Sequence, residues 1–141
     1  MYVSKWGTEG TGGGQFKSPA SVAVASDGSV YVADFNSHRI QKFTAEGVFV
    51  SQWSTESEAE WEMGRTQGVA VASDGSVYVA DAIDHRIQKF TSAGVFVSQW
   101  GTEGEGDGQF KNPDGIEVAS DNNVYVADTG NHRIQKFSPG P

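Results

Sequence analysis

The sequence contains no cysteine and only four prolines in 141 residues. Without cysteine, a disulfide scaffold, thiolate-bound zinc and thiol catalysis are excluded, while the redox compartment stays open. No run of about 18 apolar residues occurs, so no transmembrane helix is expected. The first residues, Met1-Tyr2-Val3-Ser4-Lys5-Trp6-Gly7, lack the apolar stretch and cleavage site of a secretory leader, and a soluble, cytoplasmic protein is the expectation. Positive charge is scarce: 10 Lys and Arg stand against 18 Asp and Glu, a net charge of −8. That balance disfavours the nucleic-acid backbone, whose affinity rests on Lys and Arg. Disorder is excluded too, because 37% of the residues are hydrophobic and 11% aromatic.

What is present is repetition. The chain divides without insertion or deletion into three units, 1–47, 48–94 and 95–141. Trp6, Trp53 and Trp100 are equivalent, as are Asp34, Asp81 and Asp128, and His-Arg-Ile-Gln-Lys-Phe occurs at 38–43, 85–90 and 132–137. VAVASDGSVYVAD at 22–34 recurs letter for letter at 69–81, and the third copy at 116–128 reads IEVASDNNVYVAD. Such near-identity points to recent duplication or to design. Each unit holds four short runs rich in Val, Ile, Tyr, Phe and Trp, bounded by Gly, Asp, Asn and Ser, which is the strand signal. Asp27-Gly28 marks a tight hairpin between the first two runs. The first run carries only Val and Ala, the fourth Phe49 and Trp53, so each four-stranded sheet is a wedge. Wedges of this length stacked about an axis make an all-β propeller. A linear solenoid fits less well, since its coils are shorter and lack Asp-Gly hairpins.

The run Pro113-Asp114-Gly115-Ile116, then Asp128-Thr129-Gly130-Asn131-His132-Arg133-Ile134, resembles the NHL repeat, and the likeness extends over all three units. The resemblance implies a β-propeller, usually of six blades. Phe35-Asn36-Ser37 and Ala82-Ile83-Asp84 depart from the Thr-Gly-Asn of the pattern, and Thr66 replaces the proline of Pro19 and Pro113. The resemblance also reaches propeller lyases and hydrolases with a metal in the central channel, and NHL propellers that bind RNA through a basic face.

Three blades are fewer than the four a closed propeller needs. The sequence opens on a fourth-strand run, Tyr2 to Trp6, and its last strand run, Arg133 to Phe137, is a third strand. The expectation is a single half-propeller over 1–141 that homodimerises. Strand 2–6 completes the last blade of a second copy, and six blades close with twofold symmetry. A trimer with nine blades is the alternative. Tyr2, Val3, Trp6, Ile134 and Phe137 are the expected closure residues.

The polar constellation Asp34/His38/Arg39, with its copies Asp81/His85/Arg86 and Asp128/His132/Arg133, reads as a structural blade motif rather than a catalytic set, because it recurs in every blade. The expected role of the Asp is to accept hydrogen bonds from His, Arg or backbone. No nucleophile motif is present, so no catalytic residue is assigned. Glu103-Gly104-Glu105-Gly106-Asp107-Gly108 faintly suggests alternating calcium ligands but lacks the terminal bidentate Glu, and reads as a solvated acidic loop. In the second unit the loop is STESEAEW at 54–61, with Trp61 read as packing on a neighbour. The three His stand on separate blades, so neither metal nor cofactor is expected. The loops before each first strand are acidic, which disfavours RNA. The expected function is a non-enzymatic, self-assembling scaffold that presents one loop face to a protein or small ligand, with no nucleic-acid or membrane partner. The candidate partner face is Phe35, Asn36, Ser37, Ala82, Ile83, Asp84, Thr129, Gly130 and Asn131, with Ala20, Gln67 and Asp114 near the channel mouth. The enzyme alternative rests on Glu117, which stands where Ala23 and Ala70 stand and would bring two carboxylates of a dimer towards the axis.

Overall fold

Alternation of Val, Ile and Tyr with smaller or polar residues, cut by Gly and Asn at turns, gives short strands with two distinct faces. The computed structural model describes residues 1–34, 39–54, 66–82 and 84–138. The first blade and the segment before it hold β1 (Thr8–Glu9), β2 (Gln15–Phe16), β3 (Pro19–Val24), β4 (Val30–Asp34), β5 (Arg39–Phe43) and β6 (Phe49–Ser54). The second blade holds β7 (Thr66–Val71), β8 (Val77–Asp81), β9 (Arg86–Phe90) and β10 (Phe96–Trp100), and the third holds β11 (Pro113–Val118), β12 (Val124–Asp128) and β13 (Arg133–Phe137). They form antiparallel sheets β3-β4-β5-β6, β7-β8-β9-β10 and β11-β12-β13. The expected strand order is thus found in each sheet, with four strands in the first two and three in the last.

The hairpins obey local chemistry. Gly28 and Gly75 take φ of 89° and 90°, and Asn122 takes the same left-handed role at 69° in the third blade. Asp27 and Asp74 accept the N–H of Ser29 and Ser76, both at 2.8 Å. Those bonds, first from the backbone and then from the serine side chain, hold the Asp27 and Asp74 carboxyls below their ordinary value.

The sheets stack face to face in chain order. Tyr31, Ala33 and Ile40 of the first blade meet Val69, Val77, Val79 and Phe90 of the second. Tyr78, Ala80 and Ile87 of the second meet Val124, Val126 and Phe110 of the third. Middle strand β8 is therefore buried on both faces; β4 is buried as well, with Phe43 and Phe16 packed on Val30 and Val32, while burial alternates along β12, which has one covered face. At the inner strands the blades nearly touch: a Cβ on Gly68 would stand 2.1 Å from the carbonyl oxygen of Asp114, so only glycine fits there. Each inner strand also carries a bulge, between Pro19 and Ser21, Thr66 and Gly68, and Pro113 and Gly115.

Tryptophans stitch the outer rim. Trp53 packs on Phe90 of the next blade at 5.6 Å between ring centroids, and Trp100 on Phe137 at 5.5 Å. Trp6 packs on Phe43 at 5.8 Å, so it occupies the place of a fourth-strand Trp belonging to a blade before the first. Residues 2–6 are nevertheless not a strand here, because no strand lies beside them to complete the ladder. The short parallel pair β1-β2 was not legible in the sequence.

Candidate functional site

The blade motif assembles where the middle strand ends. Asp34, Asp81 and Asp128 are buried and pair in register with Arg39, Arg86 and Arg133. The charged atoms approach to 3.4, 3.1 and 2.9 Å. In the first and third blades the motif grips the loop that leads into the inner strand. Asp34 accepts the N–H of Ser18 at 2.8 Å, and Asp128 that of Lys111 at 2.7 Å. Arg39 donates to the Thr11 carbonyl at 2.9 Å, and Arg133 to those of Glu105, Gly106 and Gln109 at 2.9, 2.7 and 2.9 Å. Gln41 and Gln135 complete the grip, each accepting from a loop glycine and donating to a loop carbonyl. Burial works against the Asp128 charge. The Lys111 N–H, Asn131 and Arg133 outweigh it and hold the carboxyl below its ordinary value. An acceptor saturated in this way is a clamp with no proton to move.

The histidine belongs to a different contact. Instead of bonding Asp81, His85 accepts the N–H of Asn112 at Nδ1, 3.0 Å away, and its Nε2 lies 3.7 Å from Glu103. His85 and His132 have φ of 53° and 57°, the left-handed turn conformation in which His is enriched. His85 thus ties one blade to the loop of the next. His38, Phe35, Asn36, Ser37 and Ile83 lie outside the described residues, as does the Glu-rich loop with Trp61.

The candidate partner face divides. Asn131 is part of the clamp, donating to Asp128 at 3.0 Å and to the Gly104 carbonyl at 2.8 Å. Gly130 packs against Lys111, whose carbonyl accepts its N–H at 2.8 Å. Asp84 donates its own N–H to Asp81 and lies 3.3 Å from Arg86. Asp114 accepts from the Thr129 hydroxyl at 2.7 Å. Gln67, on β7, is the residue skipped by the bulge there. Most of these side chains brace the loops, leaving Ala20, Gln67 and Asp114 as positions outside the strand ladder. Among the described residues, no three His, Asp or Glu side chains are grouped as metal ligands.

The closure residues resolve by face. Phe137 does not belong with them: it points into the seam between the second and third blades, against Trp100 and Phe110. It was grouped with Ile134 because both sit on one strand, but they are three positions apart and so lie on opposite faces. Ile134 is on the open side. Its counterparts Ile40 and Ile87 are 0% exposed, whereas Ile134 is 67% exposed. On the far side of the stack Val22 and Val24 are 62% and 64% exposed, although Val69, the counterpart of Val22, is 4% exposed. Tyr2 and Val3 are exposed as well, and Trp6 is partly covered by Phe43 and Gly47.

The NHL repeat profile matches residues 16–43, 67–90 and 110–137, more than half of the sequence. The chain belongs to the NHL-repeat family. Among curated proteins, this NHL chain is 49% identical over 49 residues to the B-box type zinc finger protein ncl-1 of Caenorhabditis elegans, covering 35% of itself and 6% of that protein. It is 47% identical over 49 residues to protein brain tumor of Drosophila melanogaster, covering 35% of itself and 5% of the relative. Among solved structures, a streptogramin B lyase superposes with a TM-score of 0.70 at 16% identity, over 87% of this chain and 38% of the lyase. That likeness establishes a propeller-type fold. The NHL chain thus spans less than a tenth of its curated relatives and under half of the solved neighbour. No helix among the described residues is long and apolar enough to cross a membrane.

Proposed function

We propose that this NHL chain is a non-enzymatic interaction scaffold that closes with a second copy of itself into a six-bladed ring. The observation that carries the reading is that its two open faces are the two halves of its own internal seam. One side offers Tyr125, Ala127 and Ile134, the counterparts of Tyr31, Ala33 and Ile40; the other offers the exposed Val22 and Val24 over the buried Val30 and Val32, the counterparts of the valines on the matching face of the second blade. A chain that already buries this pair of surfaces against each other twice has a partner of known chemistry, itself. In the ring, residues 2–6 lie along β13 of the second copy as its fourth strand. Trp6 stays on its own Phe43 and meets Tyr125 of the second copy, as Trp53 meets Tyr31 at 6.1 Å. Closure covers both sheet edges and both apolar faces. The loop face, acidic and braced by the clamps, is then displayed once per blade to a protein or small ligand. With a net charge of −8, that ligand is not nucleic acid.

Light scattering tests the reading. The expected mass is twice the 15.1 kDa of one chain, and three times would mean nine blades. Ile134→Glu and Gly115→Val should each leave a folded monomer, since both positions are exposed in the single chain. Gly115 is the counterpart of Gly68, so its new side chain would meet backbone of the second copy, whereas inside the chain its Cβ meets only Ala127. A parent chain that stays monomeric at every concentration overturns the proposal.

A further inference from the structure

The surfaces that would close the ring differ in charge from the internal seams at one inner-strand position. Ala23 and Ala70 face the following blade, and Ala70 is 2% exposed. Glu117 holds that position in the third blade. It is exposed here, and among the described residues its carboxylate accepts the neighbouring Val118 N–H alone, at 3.1 Å. Across the sheet it pairs in register with Tyr125, and Tyr125 with Lys136.

Lys136 is the one cation on that row, and its ammonium sits over the Tyr125 ring, 5.5 Å from the centroid. In the internal seam the equivalent Lys42 donates to the Ser92 carbonyl of the next blade at 3.3 Å, joined there by the Tyr31 hydroxyl at 3.0 Å. A lysine engaged in that way is turned towards the outer turn, and the tyrosine ring stands between it and the inner strand. Opposite Glu117, the second copy would present Val22, Val24, Val30 and Val32, none of which carries a donor. The hairpins at that end of the seam bring Asp121 and, from the second copy, Asp27, both of the same sign as Glu117.

We infer that Glu117 sets the strength of the seam between copies: it is the residue that keeps the ring separable rather than permanently shut. The inference rests on the ring reading above. A carboxylate that enters an apolar seam gives up water and gains no partner, and the symmetry of two copies makes the ring bear this at both seams. The internal seams, with alanine, escape the penalty. The third blade is thereby marked as the one meant to meet another chain.

Sedimentation across a range of concentrations, on the parent chain, Glu117→Ala, Glu117→Gln and Ile134→Glu, separates the two ideas. Both Glu117 variants should lower the concentration of half-dissociation by at least about tenfold, the alanine variant more than the glutamine. Unchanged or weaker association in both variants would overturn it, and the ring reading would still stand if Ile134→Glu abolished association. If no variant associates, the ring reading falls and the inference falls with it.

Discussion

The second and third blades carry the same clamp letters, Asp, Arg and Gln, yet among the described residues different partners surround them. Around Asp128, Arg133 reaches three loop carbonyls and Asn131 donates to the carboxylate. Around Asp81, among the described residues, Arg86 bonds Asp81 and Gln99, its Nη2 faces Asp84 Oδ2 at 3.3 Å as an ion pair, and Gln88 Oε1 has no hydrogen-bond partner. Two sequence differences account for this. The third loop has glycines at 101, 104, 106 and 108, whose small size lets backbone approach the guanidinium, whereas its counterpart 54–65 has glycine only at 64. Asn131 is replaced by Asp84, so a donor becomes a second acceptor with a charge. Burial raises the Asp81 carboxyl above its ordinary value, and the Asp84 charge adds to that against the bonds from the Asp84 N–H and Arg86. Identical side chains thus give opposite electrostatics, because the amide donor at 131 is an acid at 84.

Removing each arginine should split the blades furthest apart. Arg86→Ala leaves Asp81 and Asp84 facing each other without a cation and should cost about 3–5 kcal/mol near neutral pH. Part of that loss should be regained on acidification, because Asp81 takes up a proton readily. Arg133→Ala should cost less, about 2–3 kcal/mol, since Asp128 keeps the Lys111 N–H and Asn131. Urea unfolding at fixed protein concentration and several pH values measures both, and a larger loss at Arg133 would mean that the loop carbonyls dominate.

A smaller effect sharpens the same contrast. Asp84→Asn should convert the second clamp towards the third and stabilise the fold by about 1 kcal/mol at neutral pH. The sign with pH follows from the shifts. Asp81, raised, gives its stability below 3.8, and that stability is lost as pH rises through its folded value. Asp128, lowered, does the reverse: its contribution is present above 3.8 and is lost as pH falls through its folded value. The gap between Asp84→Asn and the parent should therefore open as pH rises above 3.8. A gap that is flat with pH would show that the charge of Asp84 plays no part.

Much of the fold was legible in the letters. Runs of Val, Ile and Tyr cut by Asp-Gly gave the strands and hairpins, and near-identical units gave the stack. The clamp was legible in kind, since a buried Asp beside Arg in every unit needs partners, but those partners were not. They are backbone carbonyls of a glycine-rich loop, and a carbonyl leaves no mark in composition. The histidine misled because its chemistry draws attention while its backbone matters more: at 85 and 132 it sits at positive φ, and the signal was its place in a tight turn before a strand. Phe137 misled because the two faces of β13 were read as one.

The bulge on each inner strand has a consequence for variation. Where two residues of β3, β7 or β11 oppose one on the neighbouring strand, the extra residue escapes the ladder. That residue is Ala20 in the first blade, Gln67 in the second and Asp114 in the third. Other positions of these strands change in one blade at most, but here all three letters differ: small, amide and acid. The fold therefore offers one writable character per blade, set where the blades converge, and a change there rewrites the rim without editing the blade.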